Sequence, residues 1–157
     1  MSVSVKVEHI NPFIQATSLT FTTMVKGDAK PGKMRLKSGE KIHYDVTGTI
    51  ALSGGAKGSV ALGFPRITAL KVISAFVGDK VLQLDKDALD AIGELANIVA
   101  GSAKQDLSRF SIAIGLPVVH VGENRNKELF ADVPEFVVPF ETPYGPFDMI
   151  LRFKSEL

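Results

Sequence analysis

Glu94 and Asn97 stand three residues apart in the segment LDKDALDAIGELANIVAG, residues 84–101. On a helix that spacing makes a carboxylate and an amide neighbours on one face. Gly101, one turn beyond Asn97, leaves the same surface without a side chain. A mid-helix glycine costs up to about 1 kcal/mol against alanine, and one physical use for it is the close approach of another surface. The pattern E-x-x-N is short and occurs three times, at Glu8…Asn11, Glu94…Asn97 and Glu123…Asn126. The first pair is expected to end in a helix cap before Pro12, and the third to lie in a loop beside Gly122. Only the middle pair is placed inside a helix. A solvated face bearing Asp, Glu, Asn and Gln is also what most amphipathic helices show.

Other chemistries fail on their residues. Cysteine is absent, which excludes disulfides, thiolate zinc sites, iron–sulfur clusters and thiol nucleophiles. His9, His43 and His120 are scattered without carboxylate partners at ligand spacing, so no zinc or other metal site is expected. Gly54-Gly55-Ala56-Lys57-Gly58-Ser59 has a phosphate-loop look. The Walker order needs Gly-Lys-Ser/Thr opening a helix, whereas here Lys57 precedes Gly58 and a strand follows. It reads as a glycine hairpin. No G-x-S-x-G elbow supports nucleophilic hydrolysis.

The elements that would hold Glu94 and Asn97 follow from periodicity. A helix is expected from about Asp85 to Leu107, with Asp85, Asp87 and Asp90 at its start and Lys104 near its end suiting the helix dipole. Leu89, Ile92, Leu95, Ala96, Val99, Ala103 and Leu107 fall on one side of it. Asp87, Asp90, Glu94, Asn97, Gly101 and Gln105 fall on the other, with Ile98 and Lys104 at the borders. Ahead of it come a strand at about residues 3–8 and a helix opening at Asn11, with Pro12 in its first position. Phe13, Thr17, Phe21 and Met24 form that helix's core stripe, and Gly27 with Pro31-Gly32 makes the loop after it. Strands from Tyr44 to Leu52 and from Lys57 to Phe64 form a hairpin, and Pro65 starts a helix over Ile67 to Phe76 that Gly78 closes.

The remainder reads as strands over Phe110 to Val121, Pro134 to Phe140 and Phe147 to Lys154. In the last, Phe147, Met149, Leu151 and Phe153 share one face. Pro134 and Pro139 favour an edge or the ends of their strand. Because strands come in runs, the fold expected is α+β, a mostly antiparallel sheet with long helices packed on it, in one domain over residues 1–157.

Composition bounds the partners. Hydrophobic residues at 45% and charged residues at 22% exclude a disordered chain. A net charge of +1 favours neither nucleic acid nor an acidic membrane as partner. The longest stretch without acidic or basic residues, His9 to Val25, is too polar for a bilayer span. The alternating N-terminus lacks the apolar core of a signal peptide. A cytoplasmic location is expected.

Residues 84–101 resemble the signature helix of the CheC/CheX/FliY phosphatases of bacterial chemotaxis, an Asp or Ser, then Glu, then Asn, at the spacing of Asp90, Glu94 and Asn97. VTGTIALSGGAKGSVALGF (46–64), TALKVISAFVG (68–78) and GLPVVHVG (115–122) are similar to the family's hairpin, following helix and later strand, so the resemblance covers about residues 8–154. A single signature helix and no flagellar-switch segment point to the CheX-type branch. The interval from Asn97 to Pro117 is a few residues shorter than the family pattern.

This resemblance implies a phosphatase acting on the aspartyl phosphate of a CheY-type response regulator. Asn97 would position the attacking water, and Glu94 would pair with the receiver's active-site lysine. Asp90, Ile98 and Gly101 would be partner contacts on the same face, Asp90 and Gly101 by helix geometry. Mg²⁺ would come from the receiver, with no cofactor in this chain. The resemblance also implies a homodimer paired through sheet edges. A module that binds a phosphorylated receiver without hydrolysing it is the alternative.

Overall fold

A computed structural model describes residues 7–37, 42–122 and 133–156. Three helices lie on one face of an antiparallel sheet. In chain order the elements are α1 (Val7–Thr20), a π turn (Phe21–Val25), β1 (Lys30–Pro31), β2 (Arg35–Leu36), β3 (Val46–Gly54), β4 (Ala56–Phe64), α2 (Arg66–Val77) and α3 (Lys86–Gln105). A 3₁₀ turn (Ser108–Phe110), β5 (Ile112–Ile114), β6 (Val118–Val121), β7 (Glu135–Thr142) and β8 (Gly145–Ser155) follow. The strand order is β1-β7-β8-β4-β3-β5, with β2 also on β7 and β6 also on β3. This is the α+β architecture expected.

Strand alternation builds the helix-facing side. Phe147, Met149, Leu151 and Phe153 of β8 are all buried, and so are Val60, Leu62 and Phe64 of β4 and Val46, Ile50 and Leu52 of β3. Phe147 stacks between Phe140 and Phe21, with ring centroids 5.1 and 4.7 Å away. The hairpin β3–β4 keeps strict register from Val46↔Phe64 to Leu52↔Gly58. Pro139 sits on β7, whose outer side meets, among the described residues, the two-residue strands β1 and β2. Its carbonyl accepts from Gly32 N–H at 2.7 Å. A residue's N–H and C=O point to the same side of an antiparallel strand, so the donor that proline lacks would also have faced outward and the β8 ladder loses nothing. On the far side of the sheet the Tyr44 phenol donates to Asp148 Oδ2 at 2.6 Å. Burial and that carboxylate push the phenol well above its ordinary range.

Four expectations are corrected. The first helix begins at Val7, so residues 7 and 8 are helical rather than strand, and residues 3–6 of that expected strand lie outside the described residues. Asn11 is no cap, and Pro12 lies inside α1. The helix gives up the bond from position 12 to the Glu8 carbonyl, and burial of the proline ring offsets the loss. Met24 is 41% exposed and Val25 is buried in its place. The π turn adds a residue to the last turn and rotates the next side chain into the core. Thr17, Thr22 and Thr23 hydroxyls bond the carbonyls four residues back along this irregular helix. Finally, Phe110 to Val121 is not one strand. Ser111 takes a left-handed turn at φ 50° between the 3₁₀ turn and β5, and Pro117 precedes β6.

Helices α2 and α3 match their sequence signals. Gly78 closes α2 in the left-handed conformation at φ 75°. Asp85 caps α3 by accepting from Ala88 N–H at 2.9 Å. The buried side of α3 is largely small, with Ala88, Ala91, Ala96, Ala100 and Ala103 beside Ile92, Leu95 and Val99. Small side chains let the helix axis come close to β3. A Cβ added at Gly48 of β3 would lie 3.0 Å from Ile92 Cγ2 and 3.5 Å from Ala96 Cβ. Among the described residues no helix is long and apolar enough to cross a membrane.

Candidate functional site

The exposed side of α3 carries the site. Glu94 and Asn97 are both exposed, while Ile92, Leu95 and Val99 behind them are fully buried. Their Cβ atoms are about 5–6 Å apart by helix geometry. Among the described residues no cation pairs with Glu94, and no hydrogen bond holds the Asn97 amide. Both groups are therefore available to an incoming molecule. They stand on a helix whose other side is locked into the core, so their positions are set before anything binds.

The supporting residues divide. Asp90 lies one turn before Glu94, exposed and ion-paired with Lys86 at 3.6 Å, a contact worth little at this exposure. Ile98 is half-buried at the border of the face. Gly101 is half-buried, and a Cβ built there meets nothing within 4 Å. Packing among the described residues therefore does not require glycine at that position.

Gly93 is different, and the sequence reading passed over it. A Cβ there would lie 3.1 Å from Pro117 Cβ and 3.2 Å from Val119 Cγ2. The missing side chain lets the loop before β6 press against α3 immediately beside Glu94 and one turn from Asn97. Gly93 thus lets Pro117 and Val119 seat closely against the helix. The available signal was a second glycine eight residues before Gly101, on the boundary between the polar and apolar sides.

The pair Glu8…Asn11 also turns out to be helical, contrary to the expectation that only the middle pair would be. The third pair, Glu123…Asn126, lies outside the described residues.

Comparison with known proteins follows this geometry. Residues 46–141 match the family described as chemotaxis phosphatase CheX. The chain is 31% identical over 149 residues to the CheY-P phosphatase CheX of Thermotoga maritima, covering 93% of this chain and 96% of the relative. The crystal structure of the chemotaxis protein CheX from Vibrio vulnificus superimposes with a TM-score of 0.84 at 28% identity, over 94% of this chain and 100% of that one. A chain from the CheX–CheY–BeF3–Mg²⁺ complex of Borrelia burgdorferi shares the fold, with a TM-score of 0.78 at 24% identity over 96% of this chain and 100% of that one. The family match spans the hairpin, α2, α3 and most of β7, and the relative is matched almost end to end. This chain belongs to the CheX family of chemotaxis phosphatases.

Proposed function

We propose that this chain hydrolyses the aspartyl phosphate of a CheY-type response regulator, with Asn97 positioning the water and Glu94 docking on the receiver. The observation that carries the reading is an exposed, unengaged carboxylate–amide pair on a helix fixed by its buried side. The Thermotoga maritima relative is named for this activity. Water attacks phosphorus in line with the bond to the aspartyl oxygen. That bond breaks, the receiver regains its carboxylate, and inorganic phosphate and a proton leave. An amide suits this role because its carbonyl accepts from the water while its NH₂ donates to a phosphoryl oxygen, holding both in a near-attack geometry.

Glu94, a carboxylate at the edge of the same turn, pairs with the receiver's lysine and sets the register of the helix. Asp90, Ile98 and Gly101 contact the receiver around it. Mg²⁺ belongs to the receiver, so chelating it abolishes turnover. The reaction takes place in the cytoplasm, a reading that the lack of cysteine supports.

We also read the working form as a two-fold homodimer paired through a sheet edge. Strand β6 pairs with β3 and with no other described strand, and its Val118 and Val121 are exposed. The antiparallel alternation leaves the N–H and C=O of Val119 and Val121 pointing outward. Light scattering at micromolar concentration would give a dimer mass.

The test of the activity is phosphate release from a labelled receiver. Asn97→Ala should lower the rate constant on the order of 10²-fold while binding to a receiver trapped with a phosphate mimic persists. Wild-type turnover in that variant would falsify the mechanism and leave the non-catalytic receiver-binding module standing.

A further inference from the structure

We propose that the groove between the end of α2 and the start of α3 is a second docking point for the receiver, taking an apolar side chain flanked by a basic one and setting which receiver is accepted. The proposal rests on the reading of Glu94 and Asn97 above.

The groove holds about 600 Å³ between Ile73 and Val77 of α2, Lys80 and Leu82 of the connecting loop, the cap residue Asp85, and Asp87 and Ala88 of α3. Val77 is 50% exposed and Leu82 67% exposed. Exposed leucine is ordinary on a mobile loop, but this loop is pinned. Ser74 Oγ donates to Leu70 O at 2.7 Å and accepts from Val81 N–H at 2.9 Å. Gly78 closes α2 on one side of the loop, and the Asp85 cap opens α3 on the other. Leu82 is thus held in solvent by an ordered backbone, so little ordering entropy remains to be lost when a partner covers it.

Continuity with the site identifies the occupant. Asp87 lies seven residues before Glu94 on nearly the same line of α3, about 10.5 Å along the axis at 1.5 Å per residue. A specific interface buries about 800 Å² on each partner, a disc of roughly 16 Å radius. A receiver centred on Glu94 and Asn97 therefore reaches the groove. It also needs what the site lacks. Asp87, Asp90, Glu94, Asn97 and Gly101 are polar or bare, with half-buried Ile98 the apolar exception, whereas binding energy concentrates in apolar anchors that lose water. Val77 and Leu82 supply such an anchor.

The charge supplies the flanking group. Between residues 79 and 94 the chain carries Asp79, Asp85, Asp87, Asp90 and Glu94 against Lys80 and Lys86, a local balance of −3 in a chain of net +1. A basic side chain beside the apolar one complements it and speeds encounter.

The test uses the full chain and a CheY-type receiver that wild type dephosphorylates, loaded with beryllofluoride and Mg²⁺ for binding and phosphorylated for turnover. Leu82→Ser should weaken binding and raise KM by about 10-fold, the loss expected on uncovering one buried leucine, with kcat, melting temperature and oligomeric mass unchanged. Adding Val77→Ser should weaken binding further. Asp87→Lys should slow association, most at low salt. Wild-type affinity in the Leu82→Ser, Val77→Ser double variant would overturn the proposal. So would a drop to monomer mass with receiver affinity intact, which would assign the groove to a second copy of the chain. If Asn97→Ala loses turnover while the double variant binds normally, the groove proposal alone fails. If Asn97→Ala turns over normally, the reading of α3 fails first.

Discussion

Helices α1 and α3 each carry a glutamate three residues before an asparagine, and they use the pair in opposite ways. In α3, Glu94 and Asn97 face solvent without a described partner, and bare Gly101 lies one turn on. In α1, Glu8 Oε1 lies 3.5 Å from Arg109 Nη2 and 3.9 Å from His9 Nε2. His9, inside the motif, is 4% exposed and set against Phe110 and Phe153, with ring centroids 5.2 Å away in each case. Pro12 follows Asn11 directly, and Gln15 stands where α3 has glycine. The same spacing therefore yields a free pair in one helix and a tethered end of a packed helix in the other. A motif becomes a site through what its neighbours leave unoccupied.

The largest expected effect tests the buried side that makes α3 a rigid platform. Val99→Asp forces an unpaired charge into a position of zero exposure and should cost more than about 4 kcal/mol. Loss of the cooperative melt and of near-ultraviolet dichroism would show it. A folded Val99→Asp protein would mean that the helix is not held by its apolar side.

Next comes the coupling within the α3 pair. Glu94→Ala should impair turnover chiefly through KM, because it removes the charge proposed to fix register. The double variant Glu94→Ala, Asn97→Ala should lose less than the product of the single losses, since the two act as one unit. Full multiplicativity in kcat/KM would split the pair into independent contacts.

Gly101→Ala separates stability from function. No described residue lies where the methyl would go, so the helix should gain up to about 1 kcal/mol, read as a higher melting temperature. Turnover should fall several-fold if the methyl stands on the face proposed to meet the receiver. Stabilisation with unchanged turnover would remove Gly101 from the contact surface.

The smallest effect belongs to α1. Glu8→Gln and Asn11→Ala should change receiver dephosphorylation by less than about twofold, in line with exposed residues outside a site. A loss comparable to that of Asn97→Ala would erase the contrast and make α1 a second site.

Much of the platform was legible in the sequence because it depends on neighbours in the chain. The 3.6-residue period placed Ile92, Leu95 and Val99 inside and Glu94 and Asn97 outside, and Asp85 marked the start of the helix. The alternation from Phe147 to Phe153 named a buried strand face, and the glycine-rich turn at 53–56 closed the hairpin.

Contacts between residues far apart in the chain decided the rest. Burial of the Pro12 ring lets α1 begin a turn before Asn11, and the π turn exchanges Met24 for Val25 because the core, not the period, has the space. Strands β1 and β2 exist only because β7 offers an edge to them. The fit of Gly93 to Pro117 joins residues 24 positions apart, which no local period encodes. Arg109, distant in sequence, engages Glu8, while Glu94 meets no such partner among the described residues. Propensity and periodicity act over a turn or two and so determined which residues could form a site. Only packing between distant segments determined which of the two helical pairs was left free to be one.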